Sequence, residues 1–111
     1  MHEMALTQDI VAICERNAGG QPVSLVVVEI GKLSGVVPEA VVFCFEACSA
    51  GTLVAGARLH ILPVAGKGRC LDCRHESPLE RLFDPCRSCG SFRIQVLSGQ
   101  AVRVREIEVV D

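Results

Sequence analysis

The chain contains no tryptophan and no tyrosine, and four phenylalanines make up the whole aromatic share of 4% in 111 residues. Its hydrophobic core must therefore be built mainly from Val, Ile, Leu and Ala. An excess of basic charge is also lacking, because 11 Lys and Arg stand against 13 Asp and Glu and give a net charge of -2. Proteins that hold nucleic acid through its phosphates usually carry such an excess, so this class of protein is disfavoured.

Long apolar runs are absent too. The segments 25–28 and 40–45 are apolar throughout, but a membrane-spanning helix needs roughly 20 such residues. The opening Met1, His2 and Glu3 do not begin a signal peptide. The length suits one compact body with a small appendage, because domains usually have roughly 100 to 200 residues. The sequence therefore predicts a cytoplasmic protein with no membrane partner.

Hydrophobic periodicity predicts two helices and three strands. Leu6, Ile10, Ile13 and Cys14 follow the spacing of one buried helix face. Pro38 suits the first position of a second helix, which should run to about residue 50. Apolar residues lie on almost all sides of this second helix, so we expect it to be sandwiched between other elements. Buried or half-buried strands are predicted at 23–30, 57–64 and 101–110.

A cysteine-rich segment interrupts this body between residues 66 and 98, where four of the seven cysteines and most of the arginines lie. It has few aliphatic residues and cannot fill a core of its own. We therefore predict a discontinuous α/β domain at 1–66 and 99–111 and an inserted module at 67–98. The fold class is α+β: a three-stranded mixed sheet with two helices, plus an inserted zinc-ribbon-like module.

The insert carries two C-x-x-C pairs, Cys70/Cys73 and Cys86/Cys89, with twelve residues between them. Two tight turns of this kind can place four thiolates around one ion, and redox-inert Zn(II) is the usual structural choice. Four thiolates close the site, so zinc is expected to stabilise the module and to catalyse nothing. A rubredoxin-like iron site, two disulfides or a redox dithiol remain alternatives that the spacing leaves open.

Residues around these pairs bear on two further expectations. Gly90 eases the second turn, whereas Arg74 stands in the equivalent place after the first pair and should require a non-glycine conformation there.

The arginines of the insert alternate with acidic residues. We therefore keep a zinc-ribbon adaptor or nucleic-acid-binding module as the alternative function. The cysteines on the second helix, Cys44 and Cys48, are interpreted as packing residues.

The first three residues offer a second set of metal ligands. The amine of Met1, the deprotonated amide of His2 and its imidazole Nδ1 can reach one ion and place three nitrogens in a plane. Glu3 can add a fourth donor through its amide or its carboxylate. Planar, nitrogen-rich sites suit Ni(II) or Cu(II). A motif of three residues is weak by itself, and a terminal histidine without function is the alternative.

Taken together, these motifs resemble the HypA/HybF family of hydrogenase maturation nickel metallochaperones over the whole chain. The resemblance is carried by Met1-His2-Glu3, IGKLSGVVPEA from Ile30, FEACSAGTLVAGA from Phe45, the two C-x-x-C pairs, Cys89-Gly90-Ser91-Phe92, SGQ from Ser98 and REIEVV from Arg105. It implies a non-enzymatic chaperone whose cargo is Ni(II), held by Met1, His2 and Glu3 with His2 indispensable. It also implies structural Zn(II) held by Cys70, Cys73, Cys86 and Cys89.

The resemblance further implies partners. These are the large-subunit precursor of [NiFe] hydrogenase, a nickel-handling GTPase and, in some bacteria, urease maturation proteins, but no nucleic acid and no membrane. One departure concerns the nickel site. Many relatives carry an acidic residue where this chain has Val37, which puts a fourth ligand from that loop in doubt and leaves Glu39 as a speculative substitute.

Overall fold

The computed structural model describes residues 2–110, which form two helices and two three-stranded sheets. The first sheet is mixed and has the strand order β2-β1-β6, whereas the second is antiparallel with the order β4-β3-β5. The predicted α+β class with a zinc-ribbon-like module is confirmed. In chain order the elements are α1 (Glu3–Asn17), β1 (Val23–Gly31), α2 (Pro38–Ser49), β2 (Arg58–Val64), β3 (Gly66–Cys70), β4 (Glu76–Leu79), β5 (Ile94–Ser98) and β6 (Val102–Val109).

Helix α1 begins at Glu3, whose acidic side chain suits the positive end of the helix dipole. Its buried residues are Thr7, Ile10, Val11 and Cys14, at the spacing of one helical face. Of the four residues in the predicted stripe, Ile10 and Cys14 are buried, whereas Leu6 and Ile13 are only partly buried. Thr7 is buried without penalty, since its hydroxyl donates to the Glu3 carbonyl at 2.6 Å.

Helix α2 begins at Pro38, where the missing N–H is not needed by the helix. The prediction that it is sandwiched on all sides is wrong. Its buried residues, Val41, Cys44, Phe45 and Ser49, form a single face, whereas Phe43 is 84% exposed. A helix needs only one apolar stripe to pack, so its other apolar residues remain in solvent.

The core of the first sheet is aliphatic, as the composition requires. Strand β1 is buried over most of its length, and Val26 and Val28 are completely inaccessible to solvent. Both helices pack against each other, and Val41 from α2 is as inaccessible as these two valines. β-Branched side chains fill a strand that is covered on both faces, which is why this segment reads as a continuous apolar run.

The chain divides into two compact units. The described residues of the first unit come from Met1–Glu29, Val36–Leu62 and Arg103–Asp111, and the second unit comprises Ile30–Gly35 and Pro63–Val102. The whole segment 67–98 belongs to the second unit. Among residues 2–110 no helix is long and apolar enough to cross a membrane.

The second unit is a small sheet with an unusual interior. Along β3, alternate residues Gly66, Gly68 and Cys70 are buried. A Cβ atom at Gly66 would lie 2.5 Å from the Leu79 carbonyl oxygen, and one at Gly68 would lie 2.5 Å from Ile94 Cγ2. Two glycines therefore allow the neighbouring strands to approach β3 closely, and the sheet ends at a cysteine of the first C-x-x-C pair.

Candidate metal centres

The two C-x-x-C pairs meet in the second unit, where the four Sγ atoms all lie within 4.8 Å of one another. Cys70 and Cys89 are 3.6 Å apart at Sγ, and so are Cys73 and Cys86. Each close contact joins one cysteine of each motif, and each joins a buried residue to an exposed one. A tetrahedron with metal–sulfur bonds of about 2.3 Å has edges of about 3.8 Å, so the sulfur spacing suits one metal ion.

Both C-x-x-C segments fold into the same turn. In the first, the Cys70 N–H donates to the His75 carbonyl at 2.9 Å and the Arg74 N–H donates to the Cys70 carbonyl at 2.9 Å. In the second, the Cys86 N–H donates to Ser91 at 2.7 Å and the Gly90 N–H donates to Cys86 at 2.9 Å. Two turns with equal hydrogen bonding form a pseudosymmetric cradle for one ion.

The expectation that Arg74 needs a non-glycine conformation is wrong. Arg74 has φ +67°, in the left-handed region, and closely matches Gly90 with φ +77°. It is the only non-glycine residue with positive φ among residues 2–110. The turn sets this backbone conformation whatever side chain is present, so the first turn stores strain that the second does not.

We expect Arg74→Gly to stabilise the module by about 1 kcal/mol, because glycine removes the left-handed strain although it loses some entropy on folding. Since metal binding and folding of such a module are coupled, the apparent zinc affinity should rise about fivefold in competition with a chromophoric chelator. Gly90→Ala is the matched control. The added Cβ would contact nothing, so the only cost of the substitution is the left-handed φ of residue 90. We therefore expect it to lower the zinc affinity by a similar factor. Equal affinities in all three proteins would contradict the role of φ.

Backbone amides polarise the buried thiols of the cluster. A hydrogen bond from the Cys73 N–H, 3.5 Å from Cys70 Sγ, is the main cause that lowers the pKa of Cys70 to about 6. The pKa of Cys86 is also lowered, chiefly by the backbone N–H of Cys89 and also by that of Ser88. These N–H groups stabilise negative charge on sulfur, which is the form that binds a metal.

The pKa values of the two exposed thiols, Cys73 and Cys89, are raised instead. A backbone hydrogen bond from Ser91 lowers the pKa of Cys89, but its hydrogen bond with Cys70, desolvation and the other thiols outweigh it and raise the pKa to about 12. A backbone hydrogen bond from His75 lowers the pKa of Cys73, but desolvation and neighbouring thiols raise it overall. Four thiolates cannot share this space without a cation, so metal binding must release protons and weaken as pH falls.

A polar contact holds the two turns together beside the sulfur cluster. Asp72, inside the first C-x-x-C, accepts a hydrogen bond from the Ser91 hydroxyl and forms an ion pair with Arg93. The Ser91 hydrogen bond is the main cause that lowers the pKa of Asp72, and the Arg93 charge contributes. The Leu71 N–H adds a backbone bond to the Arg93 carbonyl at 2.8 Å. These contacts therefore join the second turn to the first in addition to the cysteines.

The predicted nickel ligands lie at the start of α1. Met1 is outside the described residues. His2 is the N-cap residue and is exposed, and its side chain makes no capping hydrogen bond. Glu3 is the first helical residue and is partly buried. Backbone N–H groups at these positions are not needed by the helix, because the first four have no partner within it.

The loop before α2 supports Glu3 in a way that the sequence did not indicate. The Val37 backbone N–H donates to Glu3 Oε2 at 3.1 Å, and this bond is the main cause that lowers the pKa of Glu3. Val37 is the N-cap residue of α2, so the carboxylate connects the beginnings of both helices. Glu39 in the first turn of α2 is exposed. Because a backbone N–H makes this contact, the identity of the residue at position 37 does not reveal it in the sequence.

A family model for "Hydrogenase/urease nickel incorporation, metallochaperone, hypA" matches residues 1–109. The chain belongs to the HypA family. Its members are nickel metallochaperones and maturation factors, so the expectation of a non-enzymatic protein is confirmed. The four-cysteine cluster is compatible with zinc in such a protein.

Individual relatives agree with the family match. The chain is 55% identical to hydrogenase maturation factor HypA of Geobacter sulfurreducens, over 98% of this chain and 99% of the relative. It is 42% identical to hydrogenase maturation factor HypA of Trichodesmium erythraeum, over 98% and 96%. The solution structure of the Ni metallochaperone HypA from Helicobacter pylori superposes with a TM-score of 0.73 at 27% identity, covering 99% of this chain and 98% of that one.

Proposed function

We propose that this chain binds Ni(II) through Met1, His2 and Glu3 and delivers it to the large-subunit precursor of [NiFe] hydrogenase in the cytoplasm. The observation that carries the proposal is the family match over residues 1–109, which includes the Met1-His2-Glu3 motif. Relatives with high identity are named hydrogenase maturation factors. A GTPase maturation partner and, in some hosts, urease maturation proteins are the further partners that we propose.

The position of the motif favours this nickel chemistry. Binding by the amide nitrogens of His2 and Glu3 requires the loss of their protons, and the resulting anions lie at the positive end of the α1 dipole. No helical hydrogen bond is broken, because these N–H groups precede the hydrogen-bonded part of the helix. The His2 imidazole is exposed, so the ion can reach it and a client can remove the ion again. The Val37–Glu3 hydrogen bond favours an ionised carboxylate near this position.

We further propose that Cys70, Cys73, Cys86 and Cys89 hold structural Zn(II). The donor set is four thiols, two of them with lowered pKa, and their spacing suits tetrahedral zinc. Zinc here supplies folding free energy and leaves no open coordination position.

Three of the basic residues around the cluster are paired with carboxylates: Lys67 and Arg69 with Glu76, and Arg93 with Asp72. This pairing favours a protein-binding role of the module over a nucleic-acid-binding one.

The proposal is tested by nickel titration of the untagged, zinc-loaded protein beside a variant with three glycines added before Met1. The addition moves the terminal amine out of the chelate but leaves every side chain in place. We expect one Ni(II) per chain for the native protein, none at the same concentrations for the variant, and about one zinc in both. Equal nickel binding by the two proteins, or none by either, would overturn the proposed nickel site.

Delivery requires a separate readout. In a host that lacks its own HypA-type protein, expression of the native chain should restore nickel-dependent hydrogenase activity, and the extended variant should not. Both proteins must be present at equal levels, as judged by immunoblot. Restoration by the extended variant would show that delivery does not depend on the terminal amine.

A further inference from the structure

Two side chains on α1 and α2 bring sulfur atoms together outside both sites described above. The Cys48 thiol lies 3.2 Å from Met4 Sδ and 3.9 Å from the Met4 carbonyl oxygen. Met4 is 47% exposed and Cys48 is partly exposed. Solvent therefore reaches a thioether and a thiol that are already in contact.

A third sulfur donor lies on the same helix face. Cys44 precedes Cys48 by four residues on α2, a spacing that places two side chains next to each other. Burial raises the pKa of Cys48, and the neighbouring Cys44 raises it further. Cys44 is only 8% exposed, so it lies at the base of the group. Met4, Cys44 and Cys48 form what we call the sulfur group.

We propose that the sulfur group is a binding site for a soft monovalent metal ion, of which Cu(I) is the biological example. Thiolate and thioether ligands select Cu(I), whereas hard ions prefer oxygen donors and Ni(II) suits sites with nitrogen donors. Cys48 and Met4 would be the two main ligands and Cys44 a third. Each cysteine thiol that binds the ion transfers its proton to solvent when its metal–sulfur bond forms, and no oxidation is involved.

The local structure allows the ion to enter. The two sulfur atoms must move apart to admit it, and methionine adapts easily because three of its bonds rotate and its thioether is polarisable. The exposed side of Met4 provides the path from solvent. The single cysteine of α1, Cys14, is completely buried, so it does not compete with the sulfur group.

The proposal can be tested on the full-length, zinc-loaded protein with methionine methyl groups labelled with carbon-13. The chain has only two methionines, Met1 and Met4, so two methyl signals are expected, and Met4→Leu identifies the one from Met4. Cu(I) is added anaerobically as its acetonitrile complex, and released zinc is measured with a chromophoric chelator. We expect the first equivalent to shift the Met4 signal without releasing zinc.

Cys48→Ser is the decisive variant, because it removes one sulfur and leaves Met4 in place at a partly exposed position. In this variant the first equivalent of Cu(I) should leave the Met4 signal unchanged, and Cys44→Ser should weaken binding in competition with a copper chelator. The proposal is overturned if the Met4 signal does not move in the native protein, or moves equally in Cys48→Ser. Release of zinc by the first equivalent would also overturn it, because copper would then prefer the four-cysteine cluster. None of these readouts depends on nickel binding.

Discussion

Cys73→Ser is expected to abolish zinc binding and to unfold the second unit, while the first unit stays folded. Serine is nearly the same size as cysteine and Cys73 is exposed, so the change creates no cavity. It removes one of the four proposed zinc ligands. Structural zinc in small modules contributes about 10 to 16 kcal/mol of binding free energy at neutral pH, and most of the folding free energy comes from it.

The physical reason lies in the small interior of the second unit. The inner face of β3 presents two glycines and a cysteine, and Leu79 from β4 is one of the few large apolar side chains buried there. Such a core buries too little apolar surface to offset the entropy of ordering the chain. We therefore expect the metal to supply most of the rest, because the ion pair between Asp72 and Arg93 is exposed and contributes little.

The measurement is hydrogen exchange of the purified protein with zinc quantified in parallel. We expect amides of β3, at 66–70, and β5, at 94–98, to lose protection in Cys73→Ser, while amides of β1 at 23–29 remain protected. Cys48→Ser serves as the control, since it removes a thiol outside the cluster and should keep both zinc and protection. Retention of one zinc and full protection in Cys73→Ser would mean that the module folds without a four-thiolate site.

Much of the first unit could be predicted from its periodicity. Pro38 starts α2 as expected, and β1 is the buried aliphatic strand that its composition indicates. The errors arose where apolar residues outnumber the positions that packing requires. In α2, Phe43 and Val42 are exposed although they are apolar, because burial is decided by which neighbours are available and not by hydrophobicity alone. In α1, Thr7 and Val11 are buried and the predicted Leu6 and Ile13 are only partly buried, for the same reason.

The second sheet could not be predicted as strands. In β3 the buried positions are Gly66 and Gly68, so the alternation of apolar and polar residues that marks a strand is missing. The need for glycine is set by the Leu79 carbonyl and the Ile94 side chain, which are distant in sequence. Only the cysteine spacing revealed that this region is ordered at all.

The sites differ in the same way. The four cysteines could be grouped from spacing, because their positions are fixed by local turns. The contact between Glu3 and the Val37 amide could not be, because a backbone N–H is present at nearly every residue and its direction depends on the fold. The proximity of Met4 to Cys48 likewise depends on how α1 packs against α2, which residue types alone do not determine. The conformation of Arg74 was missed because the turn, and not the residue, sets its φ.

His2→Ala is expected to abolish nickel binding and leave the fold and the zinc content unchanged. The substitution removes the imidazole, one of three nitrogens in the proposed planar site, and an incomplete chelate loses both a ligand and the ring that it closes. The fold should not respond, because the His2 side chain is exposed and caps nothing. Its backbone carbonyl accepts the Leu6 N–H at 2.9 Å, a bond that alanine preserves.

The measurement is isothermal titration with Ni(II), with circular dichroism and zinc analysis as checks on the fold. The chain has three histidines, and the other two, His60 and His75, are also exposed, which makes His60→Ala a matched control for histidine content. We expect His60→Ala to bind one Ni(II) as the native protein does. Stoichiometric nickel in His2→Ala, or its loss in His60→Ala, would place the ligand elsewhere. Because the three added glycines move the terminal amine away from His2 and His2→Ala removes the imidazole, failure of both variants to bind would identify one chelate with two separate ligands.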